Sequence, residues 1–406
     1  MLPRLMRLRD RPDVFYLYTA RAARGFGDGF AAIILPAYLS ELGFSPFQIG
    51  VVATAALLGS AVLTLAIGFV APRYDLRTLL LGCAGLMIAT GIAFPSTQVF
   101  IFIILIAFIG TMNPTVGDIG VHVPLEQASL AHGVSDDDRT LTFARYSLIG
   151  ALSASAGALS AAAPDLMVSA GIDKLGAFKI MFYVYAALGV LAGIFYSRLP
   201  HAKAQTQAPQ TRALGHSRGT VYKLAALFSL DAFAGGFTVQ SLMALWLFER
   251  FDLSLAAASG FFFWSNVLAA FSLPVAARLA RRIGLINTMV FTHIPSSICL
   301  IAAAFSPNLT LVLALLLLRA ATSSMDVPTR TSFVMAVVTP AERTAAASVT
   351  AVPRSLASSI SPALSGALLS SPWIGLPLVL CGALKIVYDL ALLVSFRHMK
   401  PPEERA

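Results

Sequence analysis

Residues 46–77 read PFQIGVVATAALLGSAVLTLAIGFVAPRYDLR. From Pro46 to Ala71 no side chain carries a charge, and then Arg73, Asp75 and Arg77 crowd into five residues. An apolar run of this length crosses a bilayer as one helix, which takes about 20 residues. The abrupt basic end marks where the chain leaves the membrane on the side that retains cations. Outward from this run the pattern repeats. Spans are expected at 14–40, 46–71, 77–96, 98–119, 140–163 and 177–197, then at 219–248, 255–277, 285–306, 309–330, 344–370 and 373–396. The fold class this predicts is an all-α membrane protein of twelve transmembrane helices in two pseudo-symmetric bundles of six, residues 1–197 and 219–406. The polar stretch 198–218, with Pro200 and Pro209, reads as a flexible cytoplasmic linker between them.

Composition points the same way. The chain is 57% hydrophobic and 12% charged, whereas a soluble domain carries about 25% charged residues. That much apolar surface requires lipid as the solvent. The formal charge of +9 reads as a topology signal and not as a nucleic-acid footprint. With both termini in the cytoplasm, 19 of the 29 Lys and Arg fall in cytoplasmic tails and loops, and three (Lys174, Lys179, Arg250) fall outside. The inverted orientation would translocate most of them, so the membrane expected is a cell membrane, the inner one in a Gram-negative cell, with both ends inside. Cys83, Cys299 and Cys381 lie in apolar runs without ligand spacing. His122, His132 and His293 show no metal spacing either, so no metal or other cofactor is expected. The phosphate-loop sequence that ATP coupling needs is absent, as are a nucleophile constellation and a nucleic-acid module. An enzyme is not expected, and a monomer is.

The halves echo each other. Gly29-Phe30 in span 1 matches Gly236-Phe237 in span 7, and Arg145 precedes Gly157 by the same twelve residues that separate Arg354 from Gly366. Paired halves of this kind are how many secondary transporters are built. The loop after span 2 carries Gly68, Arg73 and Arg77, and the loop after span 8 carries Arg282 and Gly284. At these residues the chain resembles the major facilitator superfamily, whose loop motif runs approximately G-x-x-x-D-R-x-G-R. The acidic fifth position is replaced by Pro72 and by Arg281, so the latch attributed to that acid is not expected in its usual form. The proline-bearing motif of many exporters is missing from span 5. A looser version, Ser361-Pro362 to Gly366, stands in span 11.

Charges inside the membrane cost about 2.5–3.5 kcal/mol each on insertion scales, so they need partners or a wet cavity. Arg21, Arg24 and Asp28 share one face of span 1. Asp231 in span 7 aligns with Arg24, and Arg319 lies in span 10. These five are the expected substrate- and proton-coupling groups, with Arg24 able to reach either Asp28 or Asp231. The alternative is a permanent ionic network that only satisfies buried charge. The resemblance further implies a cytoplasmic gate, expected as Asp118–Arg354 and Asp326–Arg145. Glu126 follows Asp118, and the aromatic run Phe261 to Trp264 reads first as lipid-facing or core. The function expected is a secondary active transporter moving a small organic solute by alternating access. Its partners would be the substrate, a coupling proton and the lipid bilayer, with export favoured. The alternatives are an importer of a nutrient or vitamin and, from another class, a non-transporting scaffold or sensor on the same fold.

Overall fold

The long apolar runs all form helices in the computed structural model, which describes residues 12–117, 120–133, 136–201, 214–215, 217–339 and 342–399. Sixteen α-helices appear among these residues, and no strand. They are α1 (Pro12–Glu41), α2 (Pro46–Val70), α3 (Leu76–Ala93), α4 (Phe100–Ile109), α5 (His122–Gly133), α6 (Asp136–Ser160), α7 (Ala163–Ser169) and α8 (Lys174–Tyr196). After the linker come α9 (Arg218–Gly236), α10 (Gln240–Phe251), α11 (Leu255–Ile283), α12 (Leu285–Phe305), α13 (Leu309–Ser323), α14 (Asp326–Ala336), α15 (Arg343–Leu369) and α16 (Leu376–Phe396). Among the described residues, nine stretches are long and apolar enough to cross a membrane on that ground alone. The remaining three of the twelve are span 1 with its internal charges, span 4 and span 11.

Three spans expected to be continuous are broken. Span 4 stops at Ile109 and resumes at His122. Pro114 has no N–H to give a helix, and Gly117 and Gly120 adopt φ values of 143° and 111°, which side chains other than glycine avoid. Span 7 breaks after Gly236. The freed carbonyl of Phe237 accepts the Ser365 hydroxyl at 2.7 Å, so the break costs no unsatisfied acceptor. Span 10 breaks at Ser324-Met325, because Pro328 cannot donate back across that turn.

The chain divides into two units. In unit 1, which holds Met1–Leu42, Ala55–Thr206 and Leu255–Phe263, α1 lies directly on α6. A methyl added at Gly29 would strike the Ala154 carbonyl, and one at Gly157 would strike the backbone of Phe26. Glycines at this crossing let the backbones touch, and packing of that kind holds membrane helices where lipid removes the hydrophobic drive. Unit 2 holds Gly43–Thr54, Gln207–Ser254 and Trp264–Ala406. There α9 packs on α15, with Gly236 against Ser358 and Ser361, and Gly50 at the start of α2 meets Gly366 of α15. Each unit has its own apolar core, one around Leu17, Leu80 and Tyr146 and the other around Phe228, Met289 and Phe333.

The polar ends are tied down by side chains. Asp75 caps α3 by accepting the Thr78 N–H at 3.2 Å, and its other oxygen lies 3.3 Å from His201. Arg77 reaches the Leu199 carbonyl at 3.3 Å, so this loop grips the start of the linker. Gly284 caps α12 with φ 89°, a conformation that explains glycine there. Gly68 has open space around it, and Arg73 is exposed. At the far end of the linker the Glu342 carboxylate accepts the Gly215 N–H at 2.6 Å and the hydroxyls of Ser217 (2.8 Å) and Thr339 (3.0 Å). These donors, the Gly215 N–H foremost, pull its pKa from 4.5 down to about 2. A depressed carboxyl pKa contributes stability that is complete above the unfolded value and fades only as pH falls toward the folded one. The stability of this clasp is therefore expected not to change with pH above about 5, and Glu342→Gln is expected to speed tryptic cleavage in the linker severalfold at a fixed pH of about 8. Equal cleavage of variant and parent would show that this clasp holds nothing.

Candidate transport site

In unit 1 the charges of span 1 meet those of the broken span 4. Arg24 on α1 is 3% exposed, and its partner Glu126 on α5 is wholly buried. The Arg24 Nε donates to Glu126 Oε1 at 3.3 Å, and its second nitrogen bonds Oε2. The hydroxyls of Tyr146 on α6 and Tyr196 on α8 also donate to Glu126. Four helices thus converge on one carboxylate, which satisfies both oxygens as a buried charge requires. Asp28, one turn above, faces a small cavity with Arg24, Asn113, His122 and Tyr185. The Tyr185 hydroxyl lies against Asp28 and 3.2 Å from Thr111. Asn113 Oδ1 and His122 Nε2 are buried and have no protein hydrogen-bond partner. Arg21 stacks on the Tyr146 ring at 5.1 Å and donates to the Gly117 carbonyl at 3.4 Å, in the break of span 4.

Unit 2 repeats the arrangement with the signs reversed. Asp231 on α9 occupies the place that Arg24 has on α1, and Arg330 on α14 occupies the place of Glu126, each four residues into its half-helix. Asp231 accepts from Arg330 at 3.3 Å and from Lys385 of α16 at 2.6 Å. Arg330 also holds Asp326 at 2.8 Å, one turn back along α14. His293 of α12 lies between, its Nδ1 3.0 Å from Asp389 and its Nε2 3.3 Å from Lys385. Arg354 of α15 faces the same cluster, and its Nε has no hydrogen-bond partner. Three carboxylates therefore face three fixed cations and one histidine.

The sequence candidates fall as follows. Arg24 and Asp231 are each paired within their own unit, and Asp28 lines the cavity beside Arg24. Asp326 and Arg354 both join the unit 2 cluster. Arg145 is half-buried on α6, and Asp118 lies outside the described residues. Arg319, half-buried on α13 near Cys299 and Cys381, has no carboxylate at ion-pair distance in its unit among the described residues. The residues of the loop motif, Gly68, Arg73, Arg77, Arg282 and Gly284, sit at helix ends away from both clusters. The sequence alone assigns no site role to the partners Glu126, Arg330, Lys385, Asp389 and His293, although Glu126 and Arg330 stand beside the residues expected at the gate. Lys385 and Asp389 are four apart in an otherwise apolar span, a signal open to the same argument that picked Asp231.

The family model of the Major Facilitator Superfamily matches the chain over residues 17–294 and 225–406. The chain belongs to that superfamily. Within it, the chain is similar to an "uncharacterized membrane protein YJR124C" of Saccharomyces cerevisiae, 24% identical over 95% of this chain and 94% of the relative. Solved major facilitator structures share the fold at low identity. A mutant of the nucleoside transporter NupG superposes with TM-score 0.78 at 15% identity, covering 95% of this chain and 100% of that one. A bacterial homologue of the human lysosomal transporter Spinster gives 0.73 at 14% identity, covering 95% and 96%. The xylose transporter XylE of E. coli, inward open, gives 0.72 at 13%, covering 96% and 98%. The protein is a multi-pass membrane protein of a transporter family, not of an enzyme family.

Proposed function

We propose that the protein is a proton-driven secondary transporter that moves a small organic solute by alternating access, with export as the favoured direction. The observation that supports this best is the pair of compensated ion pairs, Arg24–Glu126 and Asp231–Arg330, each buried where a broken helix meets its partner. A buried ion pair is often no more stabilising than apolar packing of the same volume. Seven ionisable groups gathered in unit 2 therefore fit a working site better than a structural one. Half-helix ends near the membrane midplane are where transporters bind solutes and coupling ions. The unpartnered Asn113 Oδ1 and His122 Nε2, with Asp28 beside them, suit a hydrophilic solute that brings hydrogen-bond donors. Relatives of this fold carry names such as nucleoside transporter and D-xylose–proton symporter, which agree with a hydrophilic solute and leave uptake as the alternative direction.

Asp118, Arg145, Asp326 and Arg354 are proposed as the cytoplasmic gate. Within their own units neither Arg145 nor Arg354 has a carboxylate at ion-pair distance among the described residues, so both are available to pair when the gate closes. The test is proton uptake or release by the purified protein as a panel of metabolites and drugs is added, with Asp28→Asn and Asp231→Asn alongside. A substrate-linked proton signal lost in one variant names the solute and its coupling carboxylate. Binding without any proton signal would point to a facilitator, and silence across the panel to a scaffold or sensor.

A further inference from the structure

The end of α11, the first turn of α12, the middle of α14 and the residues just after α16 enclose a crevice of about 740 Å³ in unit 2. Arg281, Arg282 and Arg397 line it. Arg397 gives its Nε–H to His398 at 3.0 Å, but no carboxylate among the described residues pairs with any of the three. Among the described residues no acidic side chain lines the crevice. Arg281 stands where the family's loop motif has an acid, so a position that ordinarily tempers the arginines adds to them instead. The first turn of α12 opens onto the same space.

The opposite character runs down α11. Phe271, Val275, Arg278 and Arg282 follow one another at spacings of four, three and four, and so share one helix face. Phe271 is 60% exposed and Val275 45%, with both arginines exposed beyond them. Ile283, Ile286 and Met399 supply an apolar wall inside the crevice. An apolar track that ends in arginines without a carboxylate partner among the described residues matches a phospholipid, whose chains lie along the track and whose phosphate reaches the guanidiniums. A soluble anion would meet only the basic end, whereas a phospholipid in the bilayer meets both.

We propose that this crevice binds the headgroup of an anionic phospholipid from the cytoplasmic leaflet. The assignment of leaflet rests on the orientation expected from the placement of Lys and Arg, with both termini in the cytoplasm, and labelling of single cysteines from either side of the membrane tests it separately. Lipid binding by the purified protein does not depend on it. Each arginine near an anionic headgroup strengthens binding roughly fivefold. Native mass spectrometry of the detergent-solubilised protein with phosphatidylglycerol and with phosphatidylcholine measures the preference directly. The parent is expected to prefer phosphatidylglycerol by about tenfold or more. Arg281→Gln/Arg282→Gln/Arg397→Gln is expected to lose that preference, while the charge-preserving triple lysine variant and a remote control, Lys223→Gln, keep it. Glycerol phosphate and inorganic phosphate are expected not to displace the lipid. A preference that survives in the glutamine triple would place the lipid elsewhere and overturn the proposal. Displacement by inorganic phosphate would overturn it in favour of a soluble-anion site. Should the glutamine triple fail to fold, Arg282→Gln alone must weaken phosphatidylglycerol binding severalfold, and an unchanged affinity would equally refute the assignment.

Discussion

Glu126→Ala is expected to destabilise the protein by about 3–5 kcal/mol, the usual cost of stripping one partner from a buried pair. The loss falls on more than Arg24. The Tyr146 and Tyr196 hydroxyls lose their acceptor as well, and all three donors remain buried in a cavity that water reaches poorly. Four helices meet at this carboxylate, so the half-helix α5 is expected to detach from α1, α6 and α8 together. Thermal unfolding in detergent measures the effect. The companion experiment separates structure from function. Arg24→Met/Glu126→Met removes both charges and replaces them with apolar volume, a change that is often neutral for stability. It is expected to restore most of the unfolding temperature and to leave transport abolished. Recovery of transport along with stability would reduce the pair to a structural one.

The second large effect is expected at Asp231. Asp231→Asn keeps the shape of the side chain but leaves Lys385 and Arg330 facing each other across a group that no longer carries charge. The neutral amide also brings two donors to a place where both neighbours are donors. Gradient-driven transport is expected to fall at least about a hundredfold, as losses of about 3 kcal/mol imply. Asp231→Asn/Lys385→Met removes one cation with the anion. It is expected to regain stability without regaining proton-driven accumulation, because the carboxylate that answers the proton is still missing. Accumulation by the double variant at the parent's level would exclude Asp231 from coupling and turn attention to His293 and Asp389, which lie within the same cluster.

The class of fold was legible in residues such as 46–77, where a long uncharged run can only be solvated by lipid. The charged residues of spans 1 and 7 were legible too, since their cost in hydrocarbon marks them wherever they fall. Lys385 carries the same mark in span 12, but which charge pairs with which was not legible. Glu126 follows a break that hydropathy alone does not reveal, and it looks from the sequence like a loop residue at the end of span 4. The breaks in spans 7 and 10 depend on single groups, the Ser365 hydroxyl that donates to the Phe237 carbonyl and the missing N–H of Pro328. Apolar runs on both sides of each break conceal it from any window average.

By itself, then, the sequence determined the solvent, the twelve runs, the two-half plan and the presence of buried charge, because these follow from the transfer cost of each side chain taken alone. The tertiary structure decided which charges neutralise one another. Pairing depends on where helix faces point after Gly25 and Gly29 let α1 close on α6 and Gly236 lets α9 close on α15. A contact such as Arg24–Glu126 joins residues 102 positions apart, and its energy exists only once four helices have packed to remove the water between them.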